Sequence, residues 1–576
     1  MKTNARRKGS ALITAVFVIV TMLGLSIGLL YRSMADTREA AVNRELIKAT
    51  AYAEGATEAA NKLLLTSLAN YLPAPTTGAV DVDGHSVTYS VAAVGAQRVE
   101  TDAQGVQTII QPYRISADGT SNGLNKHIEK IIDAEKTPIF QFMAFYNPDL
   151  EMLPGPSMNL VGRVFSNGNI YIGSNNTLTL NSEYVRAVGR MYRMRKDDGT
   201  ASLGTVNIRA KGSANYYSME SKTQFSPASV EGFDTKFVGL DANHDGDYTD
   251  AGDYKNWTLR STDRWKGTVQ TAEHGAKQIE TPSVQTTQMY SPAAGGNYVY
   301  DPGTGHYTPV PPGTGTHNKG YFYQNAQLAI VDGVAYDASG VSIVWPDVNG
   351  DHVADNPITN KTFYDARQGK NVTTTDINLD ILGKSGKWPS NGLLYAVRTE
   401  STATQPNGIR LSSGSNLAAA LTVVSPCPVY TKGNYNKGDA THPKQPASVI
   451  ADAFEILSNS WNDTKTPGHL PAATESWVNA AFISGSMNSS TGHYNGGFEN
   501  LPRFHENWDG ISCHIRGSFV NIWNSLDATG SWVYGGDKYT APGRDWNYDT
   551  DFNDFTKLPP FTPSVFGTRR VVWVSR

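Results

Sequence analysis

Between Asp241 and Asp253 the chain reads Asp241-Ala242-Asn243-His244-Asp245-Gly246-Asp247, with Asp250 and Asp253 just beyond. Oxygen-bearing side chains stand at every second position around a sharp glycine turn. A hard cation such as calcium needs roughly six to eight oxygens at short range, and this spacing can supply them. The glutamate that closes an EF-type loop is absent. Gly252 holds that place, so Asp253 would have to substitute. A weaker stretch places Asp347, Asn349, Asp351 and Asp355 in similar order, with His352 where a glycine is wanted. Calcium is the only cofactor these residues suggest, as an ion that orders loops. The competing reading of both stretches is an acidic, solvated loop.

Other residue types could serve catalysis or binding. Asp549, Asp551 and Asp554 lie near Trp546 and Tyr548, and His505, Glu506 and Asp509 surround Trp508. Polysaccharide lyases and glycosidases need two carboxylates at a set separation, or a carboxylate, calcium and a base. Spacing alone does not bring these groups together, so no catalytic residue is assigned and the chain is expected not to be an enzyme. No Ser-His-Asp elbow, phosphate loop, zinc signature or CxxC is present, and the 12 histidines show no ligand spacing. Trp508, Trp523, Trp532, Tyr534, Tyr539, Trp546 and Tyr548 could form a sugar platform, although core aromatics are the default. Cys427 and Cys513 are too few for a disulfide scaffold. In an oxidising space they could pair, and the long loop closed would add roughly 4 kcal/mol; otherwise they are two buried thiols.

The elements that would position these groups begin with the N-terminus. Arg6-Arg7-Lys8-Gly9 precedes Ser10 and an uncharged run from Ala11 to Tyr31. At about 1.5 Å per residue that run reaches roughly 30 Å, the thickness of a bilayer core. The basic leader would stay cytoplasmic and everything after Arg32 would face outward. Val42, Leu46, Ala49, Ala53, Ala56, Ala60 and Leu63 follow at alternating steps of four and three, which puts them on one helix face. The spacing predicts one long helix over 10–72, greasy first and amphipathic later, ended by Leu72-Pro73-Ala74-Pro75. Gly24 and Gly28 would allow another helix to come close. The alternative is a signal peptide cut after Ala35, leaving Asp36 as the mature start.

This layout resembles the N-terminus of type IV pilins and of the pseudopilins of type II secretion. Gly9-Ser10-Ala11-Leu12-Ile13 is most similar to minor pilins of the PilX kind. The resemblance implies that a prepilin peptidase cuts after Gly9 and methylates Ser10. It also implies an inner-membrane anchor and partners that are other pilin or pseudopilin subunits, met through the helix. Most pilins carry Glu at the fifth mature position, where this chain has Thr14. The K-type pseudopilin at the tip of the secretion pseudopilus, a calcium binder, also lacks that Glu, so Thr14 counts against a shaft role and leaves a tip role open.

Residues 73–138 predict a small antiparallel sheet of about four strands. One hairpin is expected at Val80–Val82 and Val87–Val91 around Asp83-Gly84, and a second at Ile109–Ala117 and Ile128–Ala134 around Asp118-Gly119. With the helix, this sheet resembles a pilin head. Residues 139–576 read as a β-rich outer domain. Short runs such as Met158–Val164, Thr177–Leu180, Gly204–Arg209, Ala447–Leu457, Trp477–Ile483 and His514–Trp523 are separated by Asn, Ser and Gly corners. That pattern predicts a parallel β-solenoid, with a β-sandwich as competitor because no strict repeat is visible. A Gly-, Pro- and Tyr-rich insertion is expected near 287–320. The stretches Asp149-Leu150-Glu151, Gly162 to Gly168, Leu421 to Val424 and Pro428 to Gly433 resemble large outer domains attached to PilX-type N-termini.

With 576 residues, two to four domains are expected, and a net charge of −4 argues against nucleic acid as a partner. The sequence therefore predicts a minor pilin-like subunit, tip-located and with a structural or adhesive outer domain. It would be held in a bacterial inner membrane by one helix, its bulk periplasmic or displayed on a pilus, with surface polysaccharide as a candidate partner. A membrane-anchored surface protein that never polymerises is the second reading, and a β-helix polysaccharide enzyme the third.

Overall fold

The computed structural model describes residues 6–102, 105–200, 204–219, 257–290, 298–301, 306–309 and 319–575. The expected helix is there as α1, Arg6–Ala69. Every residue from Ser10 to Arg44 is exposed, a length of roughly 50 Å. Burial begins at Glu45, which is held by Arg44, Lys48 and Ser121. Ala49, Ala53, Ala56, Ala60 and Leu64 are then fully buried, whereas Val42 and Leu63 stay on the outside of the stripe. The alanines bring α1 against a six-stranded antiparallel sheet.

That sheet contains β1 (Thr77–Val82), β2 (His85–Ala93), β3 (Arg98–Thr101), β4 (Gln107–Ser121) and β5 (Leu124–Pro138). Asp83 and Gly84 have φ of 53° and 78°, as a tight hairpin turn requires. The second turn is not at Asp118-Gly119. Both residues lie inside β4, and the chain reverses at Asn122-Gly123, with φ of 47° and 78°. Gly119 serves packing instead: a Cβ there would overlap the Ala49 carbonyl oxygen and crowd Ala53 N. The sixth strand is Ser564–Ser575, from the far end of the chain, paired antiparallel with β5. The boundary expected at 138/139 is therefore only one of two. Ile139 N donates to Pro563 O at 2.8 Å, so the outer region leaves and re-enters the head through neighbouring strands.

The outer region is mainly β, in several sheets. Its largest has eleven strands, and all but one neighbouring pair run parallel. The chain enters this sheet in its middle, at Ala144–Tyr146, and walks outward through Val164–Ser166 and Val185–Ala187 to Val269–Gln270. It resumes at the opposite end with Leu328–Val331 and returns through Leu393–Val397, Leu421–Val424, Ala447–Ala451 and Ala481–Ser484 to Phe519–Asn521, which pairs with Ala144–Tyr146. Successive passes stack like on like. Leu178 sits between Met158 and Val206, and Leu180 between Leu160 and Ile208, all buried. Antiparallel strands cap some of the sheet edges: Tyr216–Met219 caps the sheet that holds Thr177–Asn181, and Val334–Asp337 and Ile358–Asp365 cap two sheets at the other end. Such caps protect parallel edges from further pairing.

Four of the runs read as single strands are two strands with a corner: Met158–Val161 and Val164–Ser166, Ala447–Ala451 and Phe454–Leu457, Ser476–Val478 and Ala481–Ser484, Ser512–Gly517 and Phe519–Asn521. Asn corners stack too, Asn167 Nδ2 donating to Asn147 Oδ1 at 2.8 Å.

Candidate functional site

The element with the clearest chemistry is α1. Its segment after Ser10 has a mean hydropathy of 2.5 over the most apolar window, and none of that window is buried inside the protein. Leu12, Ile13, Phe17, Leu25 and Leu29 are all more than two-thirds exposed. In water this surface would be costly at roughly 25 cal/mol per Å². A bilayer, or the helices of neighbouring subunits, would cover it. Thr14 donates its hydroxyl to Ser10 O at 2.8 Å, so it satisfies itself within the helix and presents no charge. Gly24 and Gly28 have open space where a Cβ would stand.

Of the two calcium-type stretches, Asp241, Asn243, Asp245, Asp247, Asp250 and Asp253 lie outside the described residues. The weaker one is a closed loop. Asp347 accepts Gly350 N at 2.6 Å and His352 N at 2.7 Å, and Asp355 accepts Val348 N at 2.7 Å and Asn349 N at 3.1 Å. Asn349 Nδ2 reaches both Asp351 and Asp355. His352 takes the glycine position with φ of 66°. Backbone donors hold the Asp347 carboxyl below its ordinary range. The spacing thus gathers the four side chains, but their oxygens are already engaged by the loop's own N–H groups.

The two cysteines do not pair. Both are free, buried thiols. Cys427 follows Leu421–Val424 and turns its Sγ to Arg398 O at 3.5 Å, while Cys513 sits in Ser512–Gly517, in a different sheet, with Trp546 Nε1 donating to its carbonyl. Burial pushes both thiols up, which suppresses the thiolate.

The acidic groups near the C-terminus are neutralised locally. Lys444 bonds Asp549 and reaches Asp551 at 2.9 Å; Lys557 also reaches Asp551, at 3.0 Å. Asp554 caps a turn through Thr556. Trp508, Trp523, Trp546, Tyr539 and Tyr548 are core residues, not a platform, and Tyr534 is exposed. Around Trp508 the expected trio separates. Asp509 is exposed, Glu506 accepts Ser458 N and Oγ at 2.6 Å, and His505 points elsewhere.

His505 belongs to a cluster that sequence reasoning missed. It lies with Asp365 and Glu455, donor atoms within 4.8 Å, all fully buried. His505 Nε2 meets Glu455 Oε2 at 2.5 Å, and Nδ1 faces Asp365 Oδ1 at 3.8 Å. Asp365 also accepts Tyr430 OH at 2.9 Å. This donor set could suit a divalent cation, but Arg503 Nη1 lies 3.6 Å from Glu455 Oε1. That fixed positive charge stands where an ion's charge would be, so the cluster is an internal ion network. Nothing in the sequence could have found it, because strand register alone places Glu455 opposite Arg503.

A cavity of about 550 Å³ lies where the head meets the first passes of the outer region. Arg163, Tyr184 and Arg186 line one side, Glu135 and Thr568 the other. Nearby, Glu280 takes Lys62 and Thr66 from α1 and exchanges two backbone bonds with Phe566, while Tyr71 stacks on Tyr321 at 3.6 Å.

No family model matches the chain, and no curated protein matches it. Among solved structures it is similar to the crystal structure of the competence-associated pilin ComZ from Thermus thermophilus, at 10% identity over 84% of this chain and 87% of that one. The TM-score is 0.24, a level at which the likeness supports no inference about fold or function.

Proposed function

We propose that the chain is a minor, tip-located pilin-like subunit of a type IV pilus or type II secretion pseudopilus, with a structural or adhesive outer region built as a parallel β-solenoid. The observation that carries this reading is the division of α1. Its first part is apolar and bare, and its second part is seated by an alanine stripe on an antiparallel sheet. A helix that only anchored the protein could end soon after the bilayer. This one runs on exposed to Arg44 before the head begins, which leaves a length free to pack beside other helices. The basic leader ending in Gly9, and the likeness of the following residues to pilin N-termini, support the same reading.

The solenoid part rests on parallel pairing between successive passes; a face-to-face sandwich would be dominated by antiparallel ladders. An insertion held by two adjacent strands suits a body that must follow the head rigidly.

Mass spectrometry of the mature N-terminus tests the proposal. An N-methylated Ser10 is the expected result. A chain that begins at Asp36 overturns it, since the apolar segment would then be discarded. A methylated Ser10 in a protein that never co-purifies with sheared pili would favour the non-polymerising anchored alternative.

A further inference from the structure

The cavity at the head–outer seam has an unusual charge arrangement. The guanidinium carbons of Arg163 and Arg186 lie 4.7 and 4.0 Å from the centroid of the Tyr184 ring. Two cations on one aromatic ring repel each other. Both Nε atoms are buried without a hydrogen-bond partner among the described residues. Asp102 pairs with Arg163. The other two carboxylates of the lining have their ion pairs outside it, Glu183 with Arg209 at 3.2 Å and Glu135 with Arg569 at 3.7 Å, and Lys277 of the lining adds a longer-range attraction to Glu135. Arg186, Lys211 and Lys277 face the same space with no ion pair of their own among the described residues. Burial, followed by Arg186, pulls the Arg163 guanidinium down to about 10, as expected where positive charge is crowded. Phe142, Phe165 and Ile279 add apolar wall. The volume falls in the range of about 300–1,000 Å³ typical of small-ligand sites.

We infer that this cavity binds a small organic anion, a sugar-sized solute bearing a carboxylate or phosphate, with Arg186 and Lys277 as its charge partners and the Tyr184 side as its flat wall. Buried guanidinium N–H groups are strong donors to planar oxyanions, and an anion would relieve the repulsion between the two arginines. A lipid headgroup in the anchoring membrane is out of reach. A second cavity, which shares Lys277 and Thr568 with the first, is lined by Thr57 and Asn61 of α1. Thr57 is about 26 residues, or roughly 40 Å, beyond the end of the apolar run. The ligand is therefore a dissolved one. This inference stands independently of the filament reading.

Equilibrium titration of the purified full-length chain in detergent at low salt tests it, with galacturonate, inorganic phosphate and neutral galactose as probes. Saturable binding of galacturonate but not galactose is expected. Arg186→Gln should weaken it at least tenfold, and Lys277→Gln, at an exposed site that leaves folding intact, severalfold. Phosphate binding as tightly as galacturonate also supports the site and assigns it to the anionic group alone. The inference is overturned if neither anion saturates, or if both variants bind like the wild type.

Discussion

At the residue scale, the contact that seats the helix is set by an absent side chain. Gly119 lies in mid-strand, where glycine is normally a cost. It is there because the Ala49 carbonyl occupies the space a Cβ would need. Gly119→Val should destabilise the head by roughly 3 kcal/mol, since the backbone of α1 would have to move. Gly123→Ala, which strains only an open turn with φ of 78°, should cost about 1 kcal/mol. Denaturant unfolding read through head amide exchange compares them, and equal costs would mean the helix is not seated at Gly119. Glu151 carries a second prediction. It is 2% exposed, its Oε2 has no hydrogen-bond partner among the described residues, and burial pushes its carboxyl up to about 7. An unfolded Glu titrates near 4.3. Between these values the folded state holds the extra proton, so this stabilisation is complete below about pH 4 and is lost as pH rises to about 7. The loss is on the order of 3 kcal/mol. Glu151→Gln should flatten the fall of the melting temperature between pH 5 and 7.5. Part of the fall should remain, because Asp452, buried beside Asp527, is also pushed up to about 7. A wild-type melting temperature that is level or rises across this window contradicts the assignment.

At the element scale, the strand Ser564–Ser575 completes the head. It covers the edge of β5 from Ile128 to Pro138, and Phe566 joins the helix-side core. Removing residues 564–576 should therefore expose Ile132 and Ala134 at a long open edge and lower the melting temperature of the head by well over 5 °C, with aggregation. Head amides that stay protected in the truncated chain would show that β1 to β5 suffice. This dependence was not legible in the sequence, because strand pairing over more than four hundred residues leaves no local mark. What was legible was local. The alanine stripe of α1 and the Asp83-Gly84 turn follow from periodicity and turn chemistry. Asp118-Gly119 carried the same turn signal and was misplaced, because tertiary packing against Ala49 claimed the glycine. In the outer region, pairs such as Ala144–Val164 and Val164–Val185 stand about twenty residues apart, but longer passes elsewhere hide the period. Asn147 and Asn167, stacked at 2.8 Å, were the readable trace of it. The seam cavity was beyond reach for the same reason as the sixth strand: its lining runs from Asp102 to Thr568.

At the scale of the whole molecule, geometry limits where the chain could sit if it is the filament subunit proposed above. Helices pack with axes roughly 8–10 Å apart. The outer body, roughly 430 residues, has a radius of gyration of about 22 Å and so a width of about 55 Å. It cannot swing aside to make room for copies of itself. Two adjacent strands bind it to the head through the Ile139–Pro563 bond, Glu280 clips it to Lys62 and Thr66, and Tyr71 stacks on Tyr321. Bodies of that width on helices packed side by side would collide unless each were displaced far along the axis, which would pull the apolar faces of α1 apart. One copy at an end meets no such conflict, and Thr14 places no charge on the helix that would require a neighbour. Immunogold labelling against the outer region should therefore mark one end of a filament, with no more than about one cluster per filament. Loosening the clip with Glu280→Ala should leave that pattern unchanged, since the paired strands still hold the body. Even decoration along the shaft would mean that the bodies do fit side by side, and the terminal placement would have to be given up.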